Sequence, residues 1–139
     1  CMPTIFAKII NREIPAYIVY EDDIVIAFLD ISQTTKGHTL VVTKTPYKDI
    51  FDVSEEAMSH LSKVVRKLSV AIKNAFGVEG INILNNSGEI AGQTVFHFHM
   101  HLIPRYEKTD ITLSLPNHMN ELSVDIYKER AEKIKAALL

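Results

Sequence analysis

Cysteine is all but missing from the 139-residue sequence, with Cys1 the single example. One thiol closes no internal disulfide, which fits a protein of a reducing compartment such as the cytoplasm. Cys1 also precedes Met2, the expected native start, so it reads as an addition ahead of the protein proper. No apolar run approaches the roughly 20 residues that span a membrane. The opening residues lack the basic-then-apolar order of a secretory signal. Strong charge of one sign is absent too: 15 Lys and Arg against 17 Asp and Glu leave a formal net charge of −2. That balance argues against a broad electrostatic surface for nucleic acid or membrane. With no repeat, low-complexity tract or linker, a single domain is expected across residues 1–139. What remains, 47% hydrophobic and 23% charged residues, is the make-up of an ordinary globular domain with one core.

Hydrophobic spacing then divides the chain. In "TIFAKIINREIP", Ile5, Phe6, Ile9 and Ile10 recur at helical intervals and Pro15 ends the segment, which predicts a short first helix. "AYIVYE" and "IVIAFLD" are β-branched and aromatic runs parted by "EDD", the pattern of a hairpin. The polar "SQTTKG" separates them from a third strand, "HTLVVTK". From Asp52 the period changes: Met58, Leu61, Val64, Val65, Leu68, Ile72 and Phe76 recur at three and four. Asp52 and Glu55 resemble a capping box and Gly77 a stop, so one long amphipathic helix is expected. "GINILNN" and "VFHFHMHLIP" return to strand character around the loop "SGEIAGQT", and a second helix starts near Ser123. Hairpins with one helix inserted between strands imply a mainly antiparallel α+β sheet.

"VFHFHMHLIP" carries the chemistry. His97, His99 and His101 stand at every second position, and in a strand such residues share a face at about 6.7 Å spacing. Phe98, Met100 and Leu102 then point the other way, into the core. A purely structural strand would use Thr, Lys or Ser on the outer face rather than three rings that titrate near neutrality. Zinc is one alternative, because His-x-His on a strand can chelate. No carboxylate alternates with these histidines, however, and no cysteine is near. The loop upstream suits an anion better: Gly88 and Gly92 let backbone N–H groups come close, and Thr94 adds a hydroxyl. Imidazoles beside a phosphate loop point to chemistry on phosphorus, in which one ring attacks and its neighbours stabilise charge or serve the departing atom.

The run from His97 to Ile103 follows His-φ-His-φ-His-φ-φ, with φ apolar, at every position. It resembles the motif of the histidine triad (HIT) family of nucleotide-binding hydrolases and transferases that act on an α-phosphate. "TIFAKIINREIP", "EDDIVIAFLDIS", "KGHTLVVTK" and "AGQTVFHFHMHLIPR" are similar to that family in the same order. Within it the chain looks like the short branch of nucleoside phosphoramidases and related bacterial proteins. The resemblance implies a HIT-like fold, with an antiparallel sheet of about five strands, one long helix and a C-terminal helix.

For the site, the resemblance implies His99 as the nucleophile, flanked by His97 and His101, with His38 completing their hydrogen-bond network. Asn86, Gly92, Gln93 and Thr94 fall where the family contacts the α-phosphate and leaving group. Asp30 falls at the ribose hydroxyls, and Ile5, Phe6, Ile9, Phe28 and Ile31 around the base. Taken alone, those five apolar residues read equally as core, and Asp30 as a turn residue. His60 and His118 match nothing and read as surface residues. Many bacterial relatives carry a Cys-x-x-Cys pair that helps hold a structural zinc. Thr4 and Ala7 stand there in this chain, so no metal and no cofactor is expected. The implied function is hydrolysis of nucleoside phosphoramidates or related conjugates of a purine nucleotide by a homodimer, without nucleic acid or membrane as partner. Two rivals stay open: a dinucleoside polyphosphate hydrolase, and a nucleotide-binding sensor or scaffold that turns over negligibly.

Overall fold

The computed structural model describes residues 3–138, so Cys1 and its reading as an addition lie outside the described residues. Helix α1 spans Ile5–Ile10, followed by strands β1 (Ile18–Glu21), β2 (Val25–Leu29) and β3 (Thr39–Thr43). Then come helix α2 (Glu55–Phe76), strands β4 (Gly80–Leu84) and β5 (His99–Arg105), and helix α3 (Val124–Ala136). All strand pairs are antiparallel and the sheet order is β1-β2-β3-β5-β4. The expected elements are present in the expected order. No helix among the described residues is long and apolar enough to cross a membrane.

Residue alternation explains why β2 and β3 read as continuous apolar runs. Val25, Ala27 and Val41 face α2 and pack with Leu61, Val64, Leu68, Phe98 and Leu102. Ile26, Phe28, Leu40 and Val42 face the other way and pack with Phe6 and Ile9 of α1. Both faces of these strands are covered, so neither has a polar side. Each large aliphatic side chain buried this way stabilises the fold by about 1.5–3 kcal/mol.

Three local expectations are corrected. The α2 cap is Ser54, whose hydroxyl accepts from the Ala57 N–H, rather than Asp52. Asp52 sits two residues too early: its carboxylate accepts from the Lys48 N–H, within a turn that runs to Val53. Gly77 does end the helix, in the left-handed conformation at φ 67°. The last strand begins at His99, not at Val95, because Phe98 bonds outside the ladder, its N–H donating to the Tyr47 carbonyl at 2.7 Å. His60 is half-buried, its Nε2 lying 2.6 Å from the Asp22 carboxylate at the β1–β2 turn. His118 is exposed as expected.

The β3–β5 ladder positions the site. It sets Leu40 opposite His101 and Val42 opposite His99. His38, just before β3, thereby meets His101 across 63 residues of sequence.

Candidate active site

A cavity of about 260 Å³ opens on the α1 side of the sheet. Ile5, Phe6, Ile9, Phe28 and Ile31 line it together with Asp30. Asn86, Gly92, Gln93, Thr94, His99 and His101 line it as well. Of the residues singled out for the site in the sequence, His38, His97 and Gly88 do not line it. Pro15, Ala16, Tyr17, Leu40 and Val95 also line it, and none carries a motif that would have announced it.

The histidines are held in defined tautomers. His99 Nδ1 lies 2.7 Å from the carbonyl of His97, and a carbonyl only accepts, so Nδ1 carries the proton. Nε2 is left with a bare lone pair on a ring that lines the cavity. Burial pushes the His99 pKa down, opposed by that carbonyl and by Asp30, which keeps the ring neutral at physiological pH. The edge of Phe6 packs on the ring at 4.9 Å between centroids, and Asn85 donates its amide to the His99 carbonyl at 2.9 Å. The partner of Asn85 is a backbone atom, so no sequence motif marks it.

His101 Nδ1 lies 3.0 Å from His38 Nε2, which is also 3.6 Å from Asp30 Oδ2. The carboxylate favours a proton on His38 Nε2, so His38 donates to His101 and His101 holds its own proton on Nε2. Burial, with the neighbouring His99 and His38, lowers the His101 pKa to about 4. Burial also lowers His38, opposed by Asp30. Asp30 Oδ1 accepts from the N–H and hydroxyl of Ser32 at 2.8 and 2.7 Å. Burial opposes its charge, but the Ser32 bonds, His38 and His101 hold its pKa below the usual carboxylate value.

His97 is locked on both nitrogens. Nε2 donates to the Thr43 carbonyl at 2.6 Å, and Nδ1 lies 3.1 Å from the Thr4 hydroxyl. With Nε2 protonated, Nδ1 is the acceptor and Thr4 the donor. The same hydroxyl caps α1 by accepting from the Ala7 N–H at 3.1 Å. The ring is fully buried and presents no face to the cavity, so it reaches His99 through its backbone carbonyl.

In the glycine loop, Gly88 and Gly92 both adopt φ 94°, which strains any side chain placed there. Gln93 spends its amide internally: Oε1 accepts from the Gly88 N–H, and Nε2 donates to the carbonyls of Lys48 and Val95. It holds the loop in shape. Among the described residues, the side chains of Asn86 and Thr94 have no hydrogen-bond partner, so they are the donors left for a ligand.

Asp30, His38 and His101 offer three ligand atoms within 4.8 Å of one another, the one such group among the described residues. The His38 and His101 ring centroids are 5.2 Å apart and their facing nitrogens 3.0 Å. The two nitrogens therefore point along one line at each other, as in a hydrogen bond. Both rings would have to turn before they converged on a cation at the roughly 2.0–2.1 Å of a zinc–imidazole bond.

The family model described as the HIT domain matches residues 11–108. The chain belongs to the HIT family. Protein hit of Bacillus subtilis is 53% identical over 106 residues, covering 76% of this chain and 73% of that protein. A crystal structure of a HIT-family member from Bacillus subtilis superposes with a TM-score of 0.95 at 42% identity, covering 99% of both chains. Adenylylsulfatase HINT3 of Arabidopsis thaliana is 34% identical over 121 residues, 87% of this chain and 61% of that protein. The antiparallel α+β architecture is thus the HIT fold. All four site histidines fall inside the HIT-domain match, whereas α1 and α3 flank it.

Proposed function

We propose that the protein hydrolyses nucleoside 5′-phosphoramidates or related nucleotidyl conjugates at the α-phosphate, through a nucleotidyl-His99 intermediate. The product is a nucleoside monophosphate such as AMP. The observation that carries this reading is the His99 tautomer, whose Nδ1 proton is tied to the His97 carbonyl. A neutral imidazole with a bare Nε2 in a cavity is a ready nucleophile. Around it stand donors for the equatorial oxygens: the Asn86 amide, the Thr94 hydroxyl and the His101 Nε2–H. The kinship with an adenylylsulfatase, whose name denotes cleavage at an adenylyl group, supports the same reaction class.

In the first displacement the Nε2 lone pair forms a bond to phosphorus as the leaving group departs with its bonding pair and takes up a proton. In the second, the oxygen of water bonds to phosphorus as the Nε2–P bond breaks and returns its electron pair to His99, and the proton that water releases replaces the one the leaving group took up. Asp30 supplies the ribose contact through Oδ2, and Ile5, Phe6, Ile9, Phe28 and Ile31 enclose the base. A second copy of the chain is the proposed partner. α3 buries none of its residues within this chain, and the edge strand β4 exposes Ile83 and Leu84.

The test is a rapid-quench experiment with an activated nucleoside phosphoramidate, followed by mass spectrometry. Wild-type protein should carry one nucleotidyl group on His99. His99→Ala should lose turnover by about a thousandfold or more while keeping its fold and its mononucleotide affinity. An adduct that still forms at the normal rate in His99→Ala removes His99 as nucleophile. Tight mononucleotide binding with no adduct in wild type would favour a sensor or scaffold, and preferred turnover of dinucleoside polyphosphates would move the substrate class.

A further inference from the structure

Asp30 and His38 are the two ends of one loop, and something must set the distance between them. Their backbones meet directly, with the Asp30 N–H donating to the His38 carbonyl at 3.0 Å. Gln33 lies between, and its side chain turns inward across the loop. Its Nε2 donates to the carbonyls of Asp30 at 2.7 Å and His38 at 2.8 Å, while its Oε1 accepts from the Gly37 N–H at 2.9 Å. The orientation of the amide is fixed by its partners, because the reverse would set its oxygen against two carbonyls. To reach them the backbone of Gln33 adopts φ 41°, the left-handed region that a long side chain rarely enters. A residue kept only for the turn would be glycine or asparagine.

We propose that Gln33 is a positioning residue that sets the separation of Asp30 from His38, and with it both ribose recognition and the His38–His101 hydrogen bond. The ribose half of this assignment rests on the function proposed above; the hydrogen-bond half stands on geometry alone. Gln33 touches no reacting atom. It acts because each of its two donated bonds ends on the backbone of a residue that does the work: the Asp30 carboxylate faces the cavity, and His38 meets His101 at 3.0 Å.

Gln33→Gly is the first test. Glycine suits φ 41° better than glutamine does, so this change removes the three bonds without adding strain. Discrimination between a ribonucleoside monophosphate and its 2′,3′-dideoxy analogue should fall at least about fivefold, since a carboxylate hydrogen bond is at stake. Turnover should fall on the order of tenfold to a hundredfold, the usual consequence of a small misplacement. The readout independent of activity is the imidazole ¹⁵N spectrum of the intact protein. In wild type His38 Nε2 should appear as a hydrogen-bonded N–H and His101 Nδ1 as its acceptor, and in Gln33→Gly that pair should lose its signature. Gln33→Glu keeps the acceptor for Gly37 but turns carboxylate oxygens on two carbonyls, so it should be no better than glycine. If Gln33→Gly fails to fold, Gln33→Asn tolerates the same φ but is one carbon too short to reach both carbonyls, and should give the same losses. Unchanged imidazole signals together with unchanged ribose discrimination in either folded variant overturn the proposal. If no substrate is turned over at all, the proposed function fails, while the imidazole spectrum still decides the role of Gln33.

Discussion

Asp22 with His60 and Asp30 with His38 pair the same two residue types at opposite levels of completion. At the β1–β2 turn, Asp22 is saturated. One oxygen accepts from the N–H groups of Ile24 and Val25, the other from the Tyr20 hydroxyl and from His60 at 2.6 Å. Beside the cavity, Asp30 uses one oxygen on Ser32 and leaves the other facing His38 at 3.6 Å. A carboxylate whose lone pairs are all occupied by its own chain has finished its task when the hairpin forms. One with an oxygen to spare in a cavity keeps an acceptor free for a ligand. Spare hydrogen-bonding capacity, more than residue type, separates the pair at the candidate site from the structural one.

Breaking Asp30 should give the larger effect. Asp30→Ala should weaken binding of ribonucleoside monophosphates by roughly 1.5–3 kcal/mol, or about 10- to 150-fold, and that of 2′,3′-dideoxy analogues far less. Titration calorimetry with both ligands checks it, and equal losses would take Asp30 out of the site. The cavity pair should also be visible in the pH profile. His101, lowered to about 4 chiefly by burial, stays neutral well below the ordinary histidine range. Protonation of His99 removes the nucleophile and burial lowers its pKa, so the acid limb of kcat/KM should lie below the ordinary histidine value of about 6.5, and it should steepen near pH 4 as His101 takes the proton that displaces the His38 bond. An acid limb near 6.5 would mean that the essential ring is not buried as described.

The turn pair should answer in stability instead. Burial opposes the Asp22 charge, but the bonds from His60, Val25, Tyr20 and Ile24 hold its pKa far below the usual carboxylate range. A carboxylate lowered on folding contributes stability above its unfolded pKa of about 3.9 and loses it as the pH falls from there. Asp22→Asn should thus cost about 1–2 kcal/mol at pH 7, after discount for partial exposure, and the gap to wild type should close in acid. Chemical denaturation at pH 7 and pH 3 measures both, and nucleotide affinity should stay at the wild-type level. His60→Gln, which removes one of four donors, should cost under about 1 kcal/mol. Were it to cost more than Asp22→Asn, the two pairs would not differ as argued.

The sheet and the cavity wall were legible in the sequence because each rests on a period. Alternation put His99 and His101 on one face with Phe98 and Leu102 opposite, and three-and-four spacing gave α2. The triad motif made the family visible before any fold was. What stayed hidden depends on backbone partners. Ser54 takes the cap that Asp52 seemed to offer because the turn before it runs one residue further. His97 shares the triad's alternation yet turns to Thr43 and Thr4 and leaves the cavity. Gln33, Asn85 and the amide of Gln93 bond to carbonyls and N–H groups, which carry no letter in a sequence. Asp22 and Asp30 likewise look alike in print, and their difference is a count of occupied lone pairs.

The order of strands also bears on how the protein comes into being. β3 and β5 lie side by side, but α2 and β4 stand between them along the chain. Closing so long a loop costs entropy before any contact offsets it, so α2 and the β1–β2 hairpin can form on their own timescale while this ladder waits. His38 and His101 share no neighbourhood until it closes. During refolding, recovery of nucleotide capture should lag behind recovery of helical signal. The cavity wall and its histidine pair thus come into existence together, in the step that completes the sheet.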